Sequence, residues 1–277
     1  MKPMLFLHGI SLTFGGLSVI GNLDIQLQKG SRCGLIGPNG AGKTTIFNLL
    51  SGVYRVTAGE ILLDDEPIDD VPLDQRIHLG IGRTFQNLRL MKHLTVLENI
   101  MLGQHHLVSP WARILAPLGS SWNRSWREEA MSAAEALGLR DDIYKLAQGL
   151  SYGVQKRIEV ARALVGRPRL LLLDEPAAGL NSSERNELVT VLASSLPKET
   201  TVLIVEHDTD FVRTLCDRAV ALNFGQKIAE GDPVSVCSHP LVIEAYLGKD
   251  EPTYLSRPKS TSTGSGEAAR RRNDNAA

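Results

Sequence analysis

A glycine-rich segment near the start of the chain limits the possible folds more than any other feature. It has the sequence GPNGAGKTT at residues 37–45, between the apolar residues 34–36 and a predicted helix that begins near Lys43. Glycines in such a segment let successive backbone N–H groups converge on phosphate oxygens in front of a helix N-terminus. The sequence therefore predicts a strand, a phosphate-binding loop and a helix, in a protein that handles a nucleoside triphosphate.

The residue types of this loop give its members separate roles. The Lys43 ammonium can reach the β and γ phosphates, and the Thr44 hydroxyl can ligate Mg²⁺. The loop residues that we expect to contact the nucleotide are Gly37, Asn39, Gly40, Ala41, Gly42, Lys43, Thr44 and Thr45. The loop by itself does not distinguish among the many classes of ATPase.

Composition excludes several other classes of protein. The chain has 277 residues, 43% of them hydrophobic, so it can bury one large core or two packed lobes. Its formal net charge of −1 provides no overall basic field for nucleic acid. The apolar runs are far shorter than the roughly 20 residues of a membrane-spanning helix. Any attachment to a membrane is therefore expected through another subunit.

The cysteines and the N-terminus carry weaker signals. Cys33, Cys216 and Cys237 are widely spaced, odd in number and without a CxxC pair, which favours reduced, inert thiols in a cytosolic protein. The first ten residues lack the charged region and the cleavage site of an export signal. Their short apolar patch predicts an edge strand.

Hydrophobic periodicity divides the chain into regions of different structure. Alternation over residues 23–27 and the apolar run at 61–63 predict a small antiparallel sheet. Residues 95–165 have a helical pattern that indicates a helical lobe. The continuous apolar runs at 170–173 and 202–205, with a predicted helix between them, indicate buried parallel strands of a nucleotide-binding core.

The last part of the chain changes from alternating strands to a polar tail. Short apolar runs at residues 219–222 and 227–229 predict a hairpin, and Pro233 and Pro240 each mark a predicted helix start. Residues 251–277 contain almost no large apolar side chains, so they cannot offset the entropy of ordering. We therefore expect a disordered tail.

Three later motifs follow the phosphate-binding loop: LSYGVQ at residues 150–155, LLLLDEP at 170–176 and EHD at 206–208. This ordered set resembles the ABC ATPase family, and the resemblance runs from Phe14 to His207. It implies an α/β fold of the ABC ATPase type, in which a core sheet with the phosphate loop carries an antiparallel β subdomain and a helical subdomain. It also implies ATP and Mg²⁺ as cofactors.

The resemblance further implies a catalytic group and a metal site. Glu175 would polarise the water that attacks the γ-phosphate, and His207 would contact that phosphate and orient the water. Gln86 would join the catalytic core to the helical lobe and sense Mg²⁺ and the water. Asp174, at the end of a predicted strand, would hold Mg²⁺ directly or through water, together with Thr44 and Gln86.

Two more regions resemble binding elements of the family. Phe14 resembles the aromatic residue that stacks on adenine, although tyrosine is commoner there and an ordinary core aromatic is an open alternative. Ser151 and Gly153 resemble the signature motif, with Tyr152 in place of its first glycine, and would face the γ-phosphate of ATP held by an opposite subunit. The family dimerises head-to-tail for this purpose. Asn181 stands where the family often has aspartate.

Several segments look like the ATPase subunits of branched-chain amino acid importers, among them RTFQN at residues 83–87, EPAAGLN at 175–181 and AYLG at 245–248. This resemblance implies a peripheral subunit on the cytoplasmic face of the inner membrane that powers import. Its partners would be two transmembrane permeases, a second ABC ATPase subunit, identical or different, and indirectly an external solute-binding protein, with no nucleic acid. The ABC ATPase domain would span residues 1–250, with the helical subdomain at about 95–165 and the tail after it.

Other functions stay open on the sequence alone. A urea or amide importer and a lipid or lipopolysaccharide exporter use very similar cassettes, so the partner subunits would distinguish them. A soluble ABC protein acting on ribosomes or DNA is disfavoured, because such proteins typically carry duplicated cassettes, coiled-coil insertions or zinc modules.

Every tryptophan of the chain lies in the segment from His105 to Trp126, which also holds Trp111 and Trp122. The cluster predicts either a contact with a permease or lipid headgroups, or aromatic packing within the helical lobe. The sequence does not decide between them.

Overall fold

The computed structural model describes residues 3–107 and 121–247. Trp111, the side chain of Trp122 and the predicted tail at residues 251–277 lie outside the described residues. Among those that are described, no helix is both long and apolar enough to cross a lipid bilayer.

The described strands form two separate sheets. They are β1 (Pro3–Phe14), β2 (Leu17–Gln28), β3 (Arg32–Ile36), β4 (Ala58–Leu63), β5 (Glu66–Pro67), β6 (Ile81–Arg83), β7 (Leu170–Asp174), β8 (Thr201–Val205), β9 (Arg218–Asn223) and β10 (Gln226–Gly231). One sheet has the strand order β2-β1-β4-β5, and the other has the order β10-β9-β3-β8-β7-β6. We call the second one the core sheet.

The described helices include ones that connect successive parallel strands of the core sheet, an arrangement that is typical of an α/β protein. They are α1 (Lys43–Leu50), α2 (Leu73–Arg76), α3 (Val96–Met101), α4 (Ser121–Ala136), α5 (Tyr152–Leu164), α6 (Ser182–Ser195), α7 (Thr209–Leu215), α8 (Pro233–Cys237) and α9 (Pro240–Leu247). Short 3₁₀ helices of three to six residues lie between several of them. The predicted α/β fold is confirmed.

The core sheet is parallel except at one edge. Strands β9, β3, β8, β7 and β6 run parallel to their neighbours, and only β10 is antiparallel, to β9. Side chains of the run at residues 170–173 are fully buried and alternate between two apolar clusters, one on each face of the sheet. Burial on both faces explains why this strand is continuously apolar. The neighbouring strands β3, β8 and β7 have their carboxyl ends side by side, and we call this border the carboxyl edge of the core sheet.

The smaller sheet is antiparallel, as predicted, but the prediction for its first strand is wrong. Strand β1 pairs with β2 on one side and with β4 on the other, so it lies inside the sheet and not at its edge. Leu5 and Leu7 of this strand are completely buried. Pairing with β4, which begins at Ala58, covers the second side of β1, and no pattern within the first ten residues could reveal that partner.

Helices α3, α4 and α5 occupy the stretch for which the sequence predicts a helical lobe. Thr95 caps α3 through a capping box with Glu98. Ala130 and Ala134 of α4 are fully buried in the apolar cluster that α3 and α5 share. Small side chains on α4 let these helices approach closely. Trp126 is half-buried on α4.

The C-terminal hairpin and helix starts agree with the sequence. Strands β9 and β10 turn at Phe224 and Gly225, which both have positive φ, as two-residue hairpin turns require. Asp232 caps α8, with Pro233 in the first turn. The hairpin and α8 lead into α9, which ends at Leu247.

The three cysteines are free thiols with buried side chains. Burial raises the pKa of the Cys33 thiol to about 12 and also raises the pKa of Cys216 and Cys237. All three therefore stay protonated at neutral pH, which agrees with the expected inert thiols.

Candidate nucleotide site

The phosphate-binding loop joins β3 to α1, the arrangement that the sequence predicts. Gly42 caps α1 in the left-handed conformation, with φ of 101°. A Cβ atom on Gly37 would lie 2.3 Å from the carbonyl oxygen of Leu222 on β9, so only glycine fits there. Asn39, Gly40 and Thr44 are exposed, whereas Ala41 is buried beneath the loop. The exposed side of the loop is open to an anion.

Lys43 is buried and folded back over its own loop. Its Nζ atom donates hydrogen bonds to the carbonyl oxygens of Gly37, at 2.7 Å, and Pro38, at 2.9 Å. Burial lowers the pKa of Lys43, while the charges of Glu175 and Asp174 act in the opposite direction. Both carboxylates therefore lie within electrostatic reach of the loop ammonium.

Asp174 ends β7 as a buried carboxylate with a cationic partner. Its Oδ2 atom accepts a hydrogen bond from Arg83 Nη2 at 2.9 Å, and its backbone N–H donates to the Thr84 hydroxyl. Arg83 also donates to Asn48 Oδ1 and Ser51 Oγ, each at 2.9 Å. Arg83 thus offsets the cost of burying Asp174 and ties β6 to α1. Sequence reasoning assigned no role to Arg83, because its partners are distant in the chain.

Glu175 contacts both of the other residues that the sequence predicts to be catalytic. Its Oε1 atom lies 2.8 Å from His207 Nε2, and its Oε2 atom accepts a hydrogen bond from Gln86 Nε2 at 2.9 Å. Each residue follows a different strand of the core sheet, β6, β7 or β8, and these strands are neighbours. The carboxyl ends of parallel strands therefore bring Gln86, Glu175 and His207 together.

The backbone at Glu175 is held in an unusual conformation. Its φ of 47° lies in the left-handed region, which residues other than glycine seldom adopt. The Glu175 N–H donates to the Val205 carbonyl oxygen at 2.9 Å, across to the neighbouring strand. Such local strain persists only where the surrounding structure fixes it, and it is commonest at functional sites.

Glu206 fastens the turn after Glu175 to the residue His207. The buried Glu206 side chain accepts hydrogen bonds from the backbone N–H groups of Ala177, at 2.7 Å, and His207, at 3.1 Å. Burial raises the pKa of Glu206, while these hydrogen bonds act to lower it. The sequence contains Glu206 within the EHD motif, but only the fold shows that it joins the turn after Glu175 to His207.

The signature residues contact a different part of the chain. Ser151 caps α5 by accepting a hydrogen bond from the Val154 N–H, and a Cβ on Gly153 would lie 3.2 Å from Glu184. Asn181 caps α6 in a capping box with Glu184, a role that asparagine performs as well as aspartate. None of these described contacts reaches the phosphate loop of the same chain.

Phe14 lies at the end of β1 and is not a core residue. It is 46% exposed, which overturns the alternative of ordinary aromatic packing in the interior. Tyr54 supports the Phe14 ring edge-on, with 5.1 Å between ring centroids and an interplanar angle of 73°. One side of the ring is thus buttressed while much of it stays accessible. No pattern in the sequence indicates this role of Tyr54.

The last described helix also reaches the phosphate loop. The Tyr246 hydroxyl on α9 accepts a hydrogen bond from the Gly37 N–H at 2.9 Å. Burial raises the pKa of Tyr246, so the hydroxyl stays protonated. The backbone on both sides of Gly37 is therefore held by side chains, Tyr246 on the N–H and Lys43 on the carbonyl oxygen.

Comparisons with known proteins agree with this geometry. The family profile described as ABC transporter matches residues 20–178, and the profile described as branched-chain amino acid ATP-binding cassette transporter matches residues 226–252. The chain is 40% identical over 252 residues to the high-affinity branched-chain amino acid transport ATP-binding protein LivG of Escherichia coli K12, an overlap of 90% of this chain and 99% of LivG. It is 40% identical over 254 residues to BraF of Pseudomonas aeruginosa, with the same description and the same shares of both chains.

Solved structures show the same fold. The ADP conformation of MJ1267, an ATP-binding cassette of an ABC transporter, is 30% identical and superimposes with a TM-score of 0.78 over 90% of this chain and 100% of MJ1267. A nucleotide-free ATP-binding cassette from an ABC transporter is also 30% identical and gives a TM-score of 0.77 over the same shares.

Proposed function

Because this chain belongs to the ABC transporter family of ATP-binding proteins, we propose that it is the ATPase subunit of an importer for branched-chain amino acids. As in other members of the family, the ABC ATPase fold binds ATP and the protein hydrolyses it. The observation that carries the catalytic assignment is the joint contact of Glu175 with Gln86 and His207. The relatives named for branched-chain amino acid transport support the solute class.

The contacts of Glu175 suit a general base. One carboxylate oxygen is oriented by Gln86 and the other by His207, so the carboxylate is fixed at the end of β7. Glu175 takes a proton from the water whose oxygen forms the new bond to the γ-phosphorus, and the bond from that phosphorus to the ADP oxygen breaks. His207 contacts the γ-phosphate, and Lys43 exchanges its two carbonyl partners for phosphate oxygens.

The donor set at the loop fits Mg²⁺. We assign the ion to the exposed Thr44 hydroxyl and the Asp174 carboxylate, together with the Gln86 side chain that contacts Glu175, the residue after Asp174. Mg²⁺ is usually held by one or two protein oxygens together with phosphates and waters, which matches so small a set of protein ligands. When bound, the ion neutralises charge on the β and γ phosphates.

The separation of the signature residues from their own phosphate loop supports a dimer. Ser151 and Gly153 lie at the start of α5, where backbone N–H groups and the helix dipole favour an anion. Because their described contacts stay within residues 151–184, we assign them to the γ-phosphate of ATP held by a second ABC ATPase subunit. That subunit is identical or different.

An apolar groove next to the segment that holds Gln86 supports the proposal that permeases are partners. It has a volume of about 390 Å³, and its lining includes Phe85, Met91, Leu102, His105 and Pro168. The groove runs between the core sheet and the helical lobe. We place the helical lobe at residues 95–165 and the whole ATPase domain at residues 1–250. We assign it to a cytoplasmic element of one of two transmembrane permeases, which would hold the subunit at the inner face of the membrane.

Purification and uptake together test this function. The Glu175→Gln protein is purified from detergent-solubilised native membranes in ATP, and its co-purifying chains are identified by mass spectrometry. We expect two permeases and a second ATPase subunit. The wild-type complex in proteoliposomes, with its external binding protein, should accumulate labelled leucine, isoleucine or valine but not urea. Uptake of urea, or recovery of lipid-export subunits, ribosomes or DNA, would refute the import assignment.

A further inference from the structure

Three charged side chains on α5 hold the segment that carries Gln86. Lys156, Glu159 and Arg162 are spaced three residues apart, so they lie along one side of the helix. Lys156 and Glu159 are each only 2% exposed. Charged side chains are seldom buried so completely unless specific partners hold them.

Their partners are backbone groups of residues 85–89, which we call the glutamine segment. Lys156 Nζ donates to the Gln86 carbonyl oxygen at 3.1 Å, and Arg162 Nη1 donates to the Arg89 carbonyl oxygen at 2.6 Å. Glu159 Oε1 accepts a hydrogen bond from the Phe85 N–H at 3.3 Å. The two ends of the segment and the residue Gln86 itself are therefore each fixed by a side chain of one helix.

Stability alone does not account for these charges. Burial lowers the pKa of Lys156 and raises the pKa of Glu159, and it outweighs the attraction between these two charges, which acts in the opposite direction. Apolar residues of similar volume in such a place often leave a protein equally or more stable. What apolar side chains cannot do is fix the backbone of an irregular segment through hydrogen bonds.

We propose that Lys156, Glu159 and Arg162 are positioning residues that set where the Gln86 side chain meets Glu175. This inference rests on the proposed function, in which Gln86 orients Glu175 and the start of α5 faces ATP held by the second subunit. One rigid helix then carries the signature residues at its first turn and holds the glutamine segment at its middle and last turns. The position of Gln86 in one subunit thus depends on how that helix docks on the other.

The test begins with Lys156→Met in the assembled complex, because methionine keeps the length and the burial but removes the donor. We expect kcat for ATP hydrolysis to fall about tenfold and KM for ATP to change by less than about twofold, since the phosphate loop is untouched. Lys156→Arg restores a cationic donor and should recover most of kcat. Equal kcat in Lys156→Met and wild type would overturn the proposal.

The matched control is Arg157→Met. Arg157 is the next residue of α5, but its guanidinium pairs with Glu187 on α6 at 2.8 Å and does not hold the glutamine segment. We expect its kcat to stay within about twofold of wild type. The same loss of kcat in both variants would show a general weakening of α5 and would overturn the proposal.

A double-mutant cycle with Gln86→Ala separates this inference from the proposed function. Gln86→Ala should lower kcat, and adding Lys156→Met should lower it no further, because Lys156 acts through Gln86. Losses that multiply would overturn the positioning role while leaving the catalytic role of Gln86 intact. Wild-type kcat in Gln86→Ala would instead refute the role of Gln86, and the inference with it.

A second variant covers the case in which Lys156→Met does not fold, as judged by its thermal midpoint. Arg162→Lys keeps the charge near the surface but cannot span the same distance to the Arg89 carbonyl oxygen. It should also lower kcat with little change in KM. Unchanged kcat in Arg162→Lys, with Arg157→Lys as its control, would contradict the proposal.

Discussion

The carboxyl edge of the core sheet and the signature region, residues 151–153 with 178–184, differ in how completely one chain builds them. At the sheet edge, Glu175 already contacts both Gln86 and His207. In the signature region, the described hydrogen bond of Ser151 lies within its own helix, and the side chain beside Gly153 is that of Glu184 at the start of α6. Under the proposed function, one chain supplies the catalytic residues of a site, whereas the signature residues that face its ATP come from a second subunit. Four variants test this difference.

The largest expected effect is at the sheet edge. Glu175→Gln should lower kcat at least about a hundredfold, because glutamine cannot accept the proton of the attacking water. ATP binding should persist, and the dimer should be trapped with ATP, which size-exclusion chromatography would show. Glu199→Gln, an exposed acid remote from the site, is the control. Equal ATPase rates in wild type and Glu175→Gln would contradict the assignment of Glu175 as the general base.

Lys43→Ala affects the same region through binding. Loss of a buried ammonium at the phosphate loop should raise the Kd for ATP roughly ten- to a hundredfold, because hydrogen bonds to charged groups are among the stronger ones. Titration of a fluorescent ATP analogue into the isolated chain measures this, with the exposed Lys198→Ala as control. An unchanged Kd would remove Lys43 from the phosphate site.

Ser151→Ala tests the other region. We expect kcat to fall about tenfold in the assembled dimer, while the affinity of the isolated chain for ATP stays unchanged. Ser151 also caps α5, so its loss destabilises the helix by about 1 kcal/mol. Thr95→Ala, which removes the cap of α3 in the same lobe, is the matched control. If the two variants lose kcat equally, Ser151 acts only as a cap and the comparison fails.

Tyr246→Phe has the smallest expected effect and tests whether the phosphate loop depends on α9. Phenylalanine leaves the Gly37 N–H without its acceptor, so we expect the Kd for ATP to rise about two- to fivefold. Tyr144→Phe, a change of the same kind on an exposed residue of the helical lobe, should leave Kd unchanged. An identical Kd in Tyr246→Phe and wild type would show that the loop holds its shape unaided.

Much of the candidate site could be predicted because its parts are local. Strand, loop and motif adjoin one another in the chain at Lys43, at Asp174 and Glu175, and at His207. Parallel pairing of neighbouring strands then brings their carboxyl ends to one edge. The contacts among Gln86, Glu175 and His207 follow from that rule, and they join the three residues to which the family resemblance assigns catalytic roles.

The residues that sequence reasoning missed depend on contacts between distant segments. Arg83 pairs with Asp174 across 91 positions of the chain, and Tyr246 reaches Gly37 across 209. Strand β1 looked like an edge because its second partner, β4, comes much later. No local periodicity encodes such pairs, since each partner has an ordinary sequence environment.

The sequence by itself determined the phosphate loop, the order of strands and helices around it and the residue types of the candidate site, because spacing and apolar periodicity express short-range geometry. Only the tertiary structure decided what supports those residues. Glu206 links the turns that carry Glu175 and His207, Tyr246 and Lys43 hold the two sides of Gly37, and three charged side chains of α5 hold the glutamine segment. These contacts arise when distant segments pack together, and burial then requires each polar group to find a partner.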